Sequence, residues 1–359
     1  MEMAGIHADG RPYTACCTRA VFHWHSFYDP NGSILFPLLT RGWAYQERLL
    51  SPRMLHFGPQ ELAWECMEQS DCECGALATG DRPHSKIHYS SDDSHHFTDP
   101  SRGCMWRRKV HDYSTLSLTF PSDKFAALAG LAQQEQLAHP GATYLAGLWE
   151  DTLICDLMWF AHHDSTLPKQ KRAPSWSWAA VEGDIFFFDT PNIMGQRGGR
   201  FLEARCHTVH AACWTQGETP FVDQHAGSVT LKSRMRPVSV TGGNRFPRLV
   251  VAGSDVEIRC AMVRPPVREY ILDNDTQDGE KSLRTSVDVG LVESAVVEAD
   301  WRRSGGLSGP SGLRQIHISL VLKSVNSDTL LFERIGFLAW EANDPDLYEG
   351  QEETTITII

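Results

Sequence analysis

A chain of 359 residues, 42% hydrophobic and 22% charged, has the make-up of an ordinary globular protein, with room for one large domain or two of usual size. Its formal charge of −12 supplies no basic domain for a phosphate backbone, so nucleic acid is not an expected partner. No apolar run reaches the roughly 18 residues of a membrane helix, and the opening "MEMAGIHADGRPYTACC" has neither a basic lead nor an apolar core, so neither a span nor a secretory signal is predicted. The ten cysteines are therefore expected as reduced thiols in a cytoplasmic protein.

In chain order, residues 1–34 show no sustained period and are expected to form a poorly ordered lead-in. Gly42 to Leu50 is predicted as a short helix ended by Pro52, because a residue before proline is disfavoured in the helical region. "RMLHF" and "ELAWEC" then read as a hairpin around Gly58-Pro59-Gln60, with Leu62, Trp64 and Cys66 on its buried face. Residues 67–103 are rich in Ser, Asp, Gly and His and read as a long polar loop.

Two core helices are predicted next. In "SDKFAALAGLAQQEQLAH", Ser122 or Asp123 stands ready to cap, and Phe125, Leu128, Ala129 and Ala132 share a face. In "YLAGLWEDTLICDLMWFAHH", Leu145, Leu148, Trp149, Leu153, Leu157 and Phe160 recur at helical spacing. After "STLPKQKRAP" the character changes. "SWSWAAVEGDIFFF" has strand composition, "VEIRCAMV" and "QIHISLVLKSV" alternate apolar and polar residues, and "TTITII" adds a further strand-like run. The expected fold is α+β, with residues 35–174 forming a helical part and 175–359 a β-rich antiparallel region.

Common catalytic signatures are missing. There is no H-E-x-x-H, no G-x-x-x-x-G-K-[ST] and no G-x-G-x-x-G, and Pro310 stands where a nucleophile elbow begun at Gly306 needs its closing glycine. His111-Asp112 lacks a matching nucleophile and reads as ordinary structure. Cys66, Cys72 and Cys74 are candidate zinc ligands, but their separations of five residues and one depart from the usual C-x2-4-C pairs. No metal and no cofactor is expected.

The sharpest feature is "RGWAYQERLLSPRMLHF". In a helix, positions 43, 46, 47 and 50 share one face, and Trp43 and Leu50 are large enough to demand burial. Gln46 and Glu47 would then go under protein cover and need partners, with Arg41, Arg48 and Arg53 nearest in sequence. Either a buried network ties the helix to the hairpin, or Glu47 supplies the carboxylate of a polar cleft. Local sequence favours the network.

This block resembles one from the fungal heterokaryon-incompatibility (HET) domain family. The residues that carry the likeness are Arg41, Gly42, Trp43, Gln46, Glu47, Leu50, Ser51 and Arg53, followed by Trp64, Glu65 and Cys66. Further patches agree in order: "CECG", "YSTLSLTFPSDKFAALAGLA", "YLAGLWED", "APSWSWAAVEG" and "ERIGFLAW". The Tyr-x-x-Leu-Ser-Tyr-x-Trp-Gly strand and the Trp-Ile-Asp segment that family members carry ahead of the block do not precede Arg41, so the expectation is a C-terminal remnant of the HET domain.

The resemblance implies a non-catalytic role in self/non-self recognition and incompatibility cell death, through a protein partner. Because the family's domain has been likened to Toll/interleukin-1-receptor-like folds, some of which cleave NAD, an enzymatic alternative places Glu47 at a glycosidic bond with help from Arg41 or Arg48. A third reading makes the β-rich region a ligand- or partner-binding module.

Overall fold

The computed structural model describes residues 2–16, 36–75, 86–89, 103–162, 165–188, 200–215, 220–222, 224–241, 248–251, 257–259, 287–299, 314–326, 328–341 and 346–359. The fold is α+β and divides into two compact units, Met1–Asp93 and Ser94–Ile359. The segment following the helices belongs with the sheet, since Met158 is buried against Ala295, Val297, Ile316, Ile318, Phe337 and Ala339.

In the first unit, β1 (Glu2–Ile6) and β2 (Pro12–Cys16) pair antiparallel within the lead-in where no element is predicted. Their turn is held by the Asp9 carboxylate, which accepts from the Arg11 backbone and guanidinium. Helix α1 (Gly42–Leu50) has the predicted bounds and stops as expected, with Ser51 extended ahead of Pro52. Strands β3 (Arg53–Phe57) and β4 (Leu62–Cys66) form the predicted hairpin, and β5 (Ser70–Cys72) adds a third strand where a loop is expected.

Both buried faces of this unit are the opposite of those expected. Helix α1 buries Gly42, Ala44, Tyr45, Arg48 and Leu49, while Trp43 is 38% and Leu50 43% exposed. Strand β4 buries Ala63 and Glu65 and leaves Leu62, Trp64 and Cys66 half-buried. The helix carries a large apolar pair on each side, Trp43/Leu50 and Tyr45/Leu49, and periodicity cannot rank them. With Tyr45 and Leu49 inward, Arg48 is carried in with them and meets Glu65, and side-chain parity in β4 then turns Leu62, Trp64 and Cys66 to the other side.

In the second unit, α2 (Cys104–Ser114) arises where no helix is predicted, and α3 (Ala126–Glu135) where one is. Neither Ser122 nor Asp123 caps α3. A 3-10 turn over Pro121–Lys124 runs into it and Phe125 occupies the cap position, buried with Ala127, Leu128, Leu131 and Ala132. The second predicted helix is absent. Its residues form a tight hairpin of β6 (Tyr144–Leu145) and β7 (Leu148–Trp149), then α4 (Leu153–Asp156) and β8 (Phe160–Ala161), which pairs with β9 (Ile185–Phe186). Ala146 (φ 45°) and Gly147 (φ 92°) build the two-residue hairpin loop, whose left-handed geometry excludes a continuous helix. Nearly every residue from Tyr144 to Trp149 is fully buried, and total burial erases the period that separates helix from turn. The stretch "SWSWAA" is likewise not a strand: a 3-10 turn covers Trp178–Ala180, with the Ser177 side chain as its cap.

This turn-rich layer is held by aromatic and ionic contacts. Trp106, Trp149, Trp176 and Trp178 are fully buried. The Trp106 and Trp178 ring N–H groups both donate to the Gly147 carbonyl, at 2.8 and 3.0 Å. Arg107 and Asp156 pair at 2.7 Å with neither exposed, and the second Asp156 oxygen accepts from the Trp149 N–H and the Thr152 hydroxyl. His111 and Asp112 are buried on α2, where His111 Nδ1 meets the Ile185 carbonyl at 2.6 Å.

Among the described residues nine strands then share one sheet: β10 (Arg200–Ala204), β11 (Cys206–Trp214), β12 (Ala226–Thr241), β13 (Arg248–Val251), β14 (Glu257–Arg259), β15 (Val287–Ala299), β16 (Arg314–Asn326), β17 (Leu331–Glu341) and β18 (Glu353–Ile358). Of the predicted alternation in "VEIRCAMV", Val256, Cys260 and Met262 lie outside the described residues. Five of the strands close on themselves. β12 pairs with β15 through its second half and with β18 through its first, and β15, β16 and β17 complete the ring. A two-residue parallel contact, Leu331 to Thr357 and Phe332 to Ile358, makes the closure. Among the described residues no helix is long and apolar enough to cross a membrane.

Candidate functional site

The block Arg41 to Arg53 and the run Trp64 to Cys66 lie in the first unit, and the structure sorts their residues sharply. Helix α1 delivers Arg48 from its last turn, β4 delivers Glu65 from its buried face, and β3 delivers His56. Arg48 donates from Nε to Glu65 Oε1 at 2.5 Å and from Nη2 to Oε2 at 3.0 Å, a bidentate pair. His56 Nε2 lies 2.8 Å from Oε1, and the Lys86 backbone N–H donates to Oε2 at 3.1 Å. The Lys86 ammonium turns the other way and donates to the carbonyls of Arg48, at 2.8 Å, and Ser51. It thus satisfies carbonyls at the end of α1 that the helix itself leaves open.

Arg48, His56, Glu65 and Lys86 are all buried, Glu65 and Lys86 completely. Burial by itself raises the Glu65 carboxyl, but the hydrogen bonds from His56 and Arg48 and the Arg48 charge outweigh it and bring the group down to about 2. Burial lowers the Lys86 ammonium, against the attraction of Glu65. Each Glu65 oxygen faces two nitrogen partners, which occupies the four acceptor sites of an ionised carboxylate. Such a group ties elements together and has no vacant site from which to take a proton.

Of the other motif residues, Ser51 joins the network through its carbonyl. Arg41 is exposed just ahead of α1, and Gly42 is its buried first residue. Trp43 and Glu47 face outward and Gln46 is half-buried. The Ser51 hydroxyl donates to the Glu47 carbonyl at 2.7 Å, Arg53 is exposed opposite Cys66, and Trp64 is half-buried. Among the described residues the Glu47 side chain makes no hydrogen bond or ion pair. His56 and Lys86 are the two members that sequence reasoning missed. Lys86 sits in a polar stretch with no local signal, whereas His56 was legible in principle as the β3 residue opposite Ala63, on the face that buries Glu65.

A second cluster forms at the hairpin. Cys72 and Cys74 have their sulfurs 3.3 Å apart, and the Glu61 carboxylate comes within 4.8 Å of both. Glu61 also accepts from the Cys74 N–H at 3.2 Å. Cys66 is not in the group, its sulfur accepting instead from the Glu68 N–H. Two thiols and a carboxylate suit zinc in donor type but are one ligand short of a closed structural site.

No family model, no curated protein and no solved structure matches this chain.

Proposed function

We propose that the chain is a non-catalytic protein of the heterokaryon-incompatibility type, working in cytoplasmic self/non-self recognition through a protein partner and without a cofactor. The observation that carries this reading is the division of labour within the motif. Its strongest ionic pair, Arg48 with Glu65, is buried and fully committed, while apolar side chains are left outside: Trp43 and Leu50 on α1, Leu55 and Phe57 on β3. Phe57 is 79% exposed. Large apolar groups held outward on a rigid frame favour a protein contact over a reaction.

The resemblance in ordered patches supplies the biological setting, and Glu47 gives the enzymatic alternative little support, since among the described residues its side chain makes no hydrogen bond or ion pair. The test is expression of the full chain in a filamentous-fungal host, alongside incubation of the purified protein with NAD. Cell death that Phe57→Ser abolishes and Glu47→Gln leaves intact is the expected result, with no nicotinamide released. Release that Glu47→Gln removes overturns the proposal in favour of NAD cleavage.

A further inference from the structure

Arg334 on β17 is 3% exposed, yet among the described residues no carboxylate answers its charge. Its guanidinium lies over the Trp159 ring, 3.6 Å from the centroid, and Nη2 donates to the Trp159 carbonyl. Among the described residues Nε has no hydrogen-bond partner. Burial is the one cause acting on the group and lowers it to about 9. A buried guanidinium without a counter-charge is costly, so its retention calls for a compensating anion.

Space for one is present. Arg334 lines a cavity of about 150 Å³ together with Trp159, Lys171, Arg172, Ser175 and Glu333. Arg172 is already committed, donating to the carbonyls of Ala179 and Val181 and pairing with Glu182. Lys171 is only loosely held, 3.5 Å from Glu333 and 59% exposed. The cavity therefore carries an unbalanced positive charge from Arg334, with a movable ammonium beside it. Its volume falls well below the roughly 300 Å³ at which drug-sized sites begin, which suits a small molecule.

We propose that this cavity binds a small phosphate species, held by Arg334 against the Trp159 ring and approached by Lys171. Guanidinium geometry suits a tetrahedral oxyanion, and the cation over an indole is kept in place when the anion enters. The site lies wholly in the second unit and does not depend on the recognition reading above.

The test uses the full chain, with inorganic phosphate and glycerol phosphate titrated in turn against chloride at matched ionic strength. Melting temperature and calorimetric heat are the two readouts. Saturable binding of either species is expected, and the tighter of the two identifies the source. Lys171→Ala, a change at the exposed rim, should weaken binding about 2- to 5-fold. Arg334→Met should abolish it while leaving the protein no less stable in chloride. If Arg334→Met does not fold, loss of affinity in Lys171→Glu takes its place. Absence of saturable binding in the unmodified chain, or equal affinity in the Lys171 variants, overturns the proposal.

Discussion

Arg48 and Glu65, 17 positions apart, meet as a buried bidentate ion pair that fastens the last turn of α1 to β4. Desolvating two charges offsets much of their attraction, so the pair is worth far less than the damage done by halving it. Arg48→Ala should destabilise the first unit by about 3–5 kcal/mol, because Glu65 stays buried and uncompensated. The double variant Arg48→Met/Glu65→Leu should lose much less. Urea denaturation of the three proteins decides, and a double variant as weak as the single one rules the argument out.

The same pair makes stability depend on acid. The Glu65 carboxyl falls from its ordinary 4.5 to about 2 on folding. A lowered carboxyl contributes stability that is complete above 4.5 and lost as the pH falls towards 2. At 1.36 kcal/mol per pH unit this amounts to about 3 kcal/mol. Glu65→Gln should remove that contribution and flatten the acid limb of a stability-versus-pH curve. An unchanged acid limb in the variant would place the dependence elsewhere.

Exposure separates the two apolar pairs of α1. Leu49 is 2% exposed, so Leu49→Ala should cost about 2–5 kcal/mol through the cavity it leaves. Trp43→Ala, at a site more than a third exposed, should cost about 1 kcal/mol. Differential scanning calorimetry of the two variants checks the ranking, and a larger loss at Trp43 would restore the face expected from the size of Trp43 and Leu50.

Gly147 is irreplaceable for two reasons that can be separated. Its φ of 92° disfavours any side chain by about 1–2 kcal/mol. A Cβ there would also sit 2.3 Å from the Trp178 indole nitrogen, which donates to the Gly147 carbonyl. Gly141 shares the positive φ, at 80°, but has nothing within 4 Å of a built Cβ. Gly141→Ala should therefore show the backbone cost alone, and Gly147→Ala a loss of about 3 kcal/mol or more. Equal changes in melting temperature would leave the indole contact without weight.

How far the sequence could be read depends on how much of each element faces water. α1, the β3–β4 hairpin and α3 each have one wet side, and their spans are legible from spacing and from the Pro52 stop. Tyr144 to Trp149 is buried on all sides, and there the helical period is an accident of composition that Ala146 and Gly147 overrule through their backbone angles. At the site, Glu65 was legible as a motif member. Arg48 was named as a network partner, though for Gln46 and Glu47, whereas Lys86 carries a charge that a linear reading assigns to the surface. Pairing across the fold, and not local pattern, sends them inside.

The closure of the sheet ring has a consequence for how the chain reaches this state. β18 joins Val229 to Ile358 on one side and Phe332 to Ile358 on the other, so the ring is completed by contacts between segments far apart in the chain. Such pairings form late and slowly, since long loops must be ordered before any contact repays them. Until β18 docks, β12 presents an unpaired edge over Val229–Arg234, the form in which strands recruit one another between molecules. Docking of β18 is thus the step at which an exposed strand edge favours aggregation of the second unit.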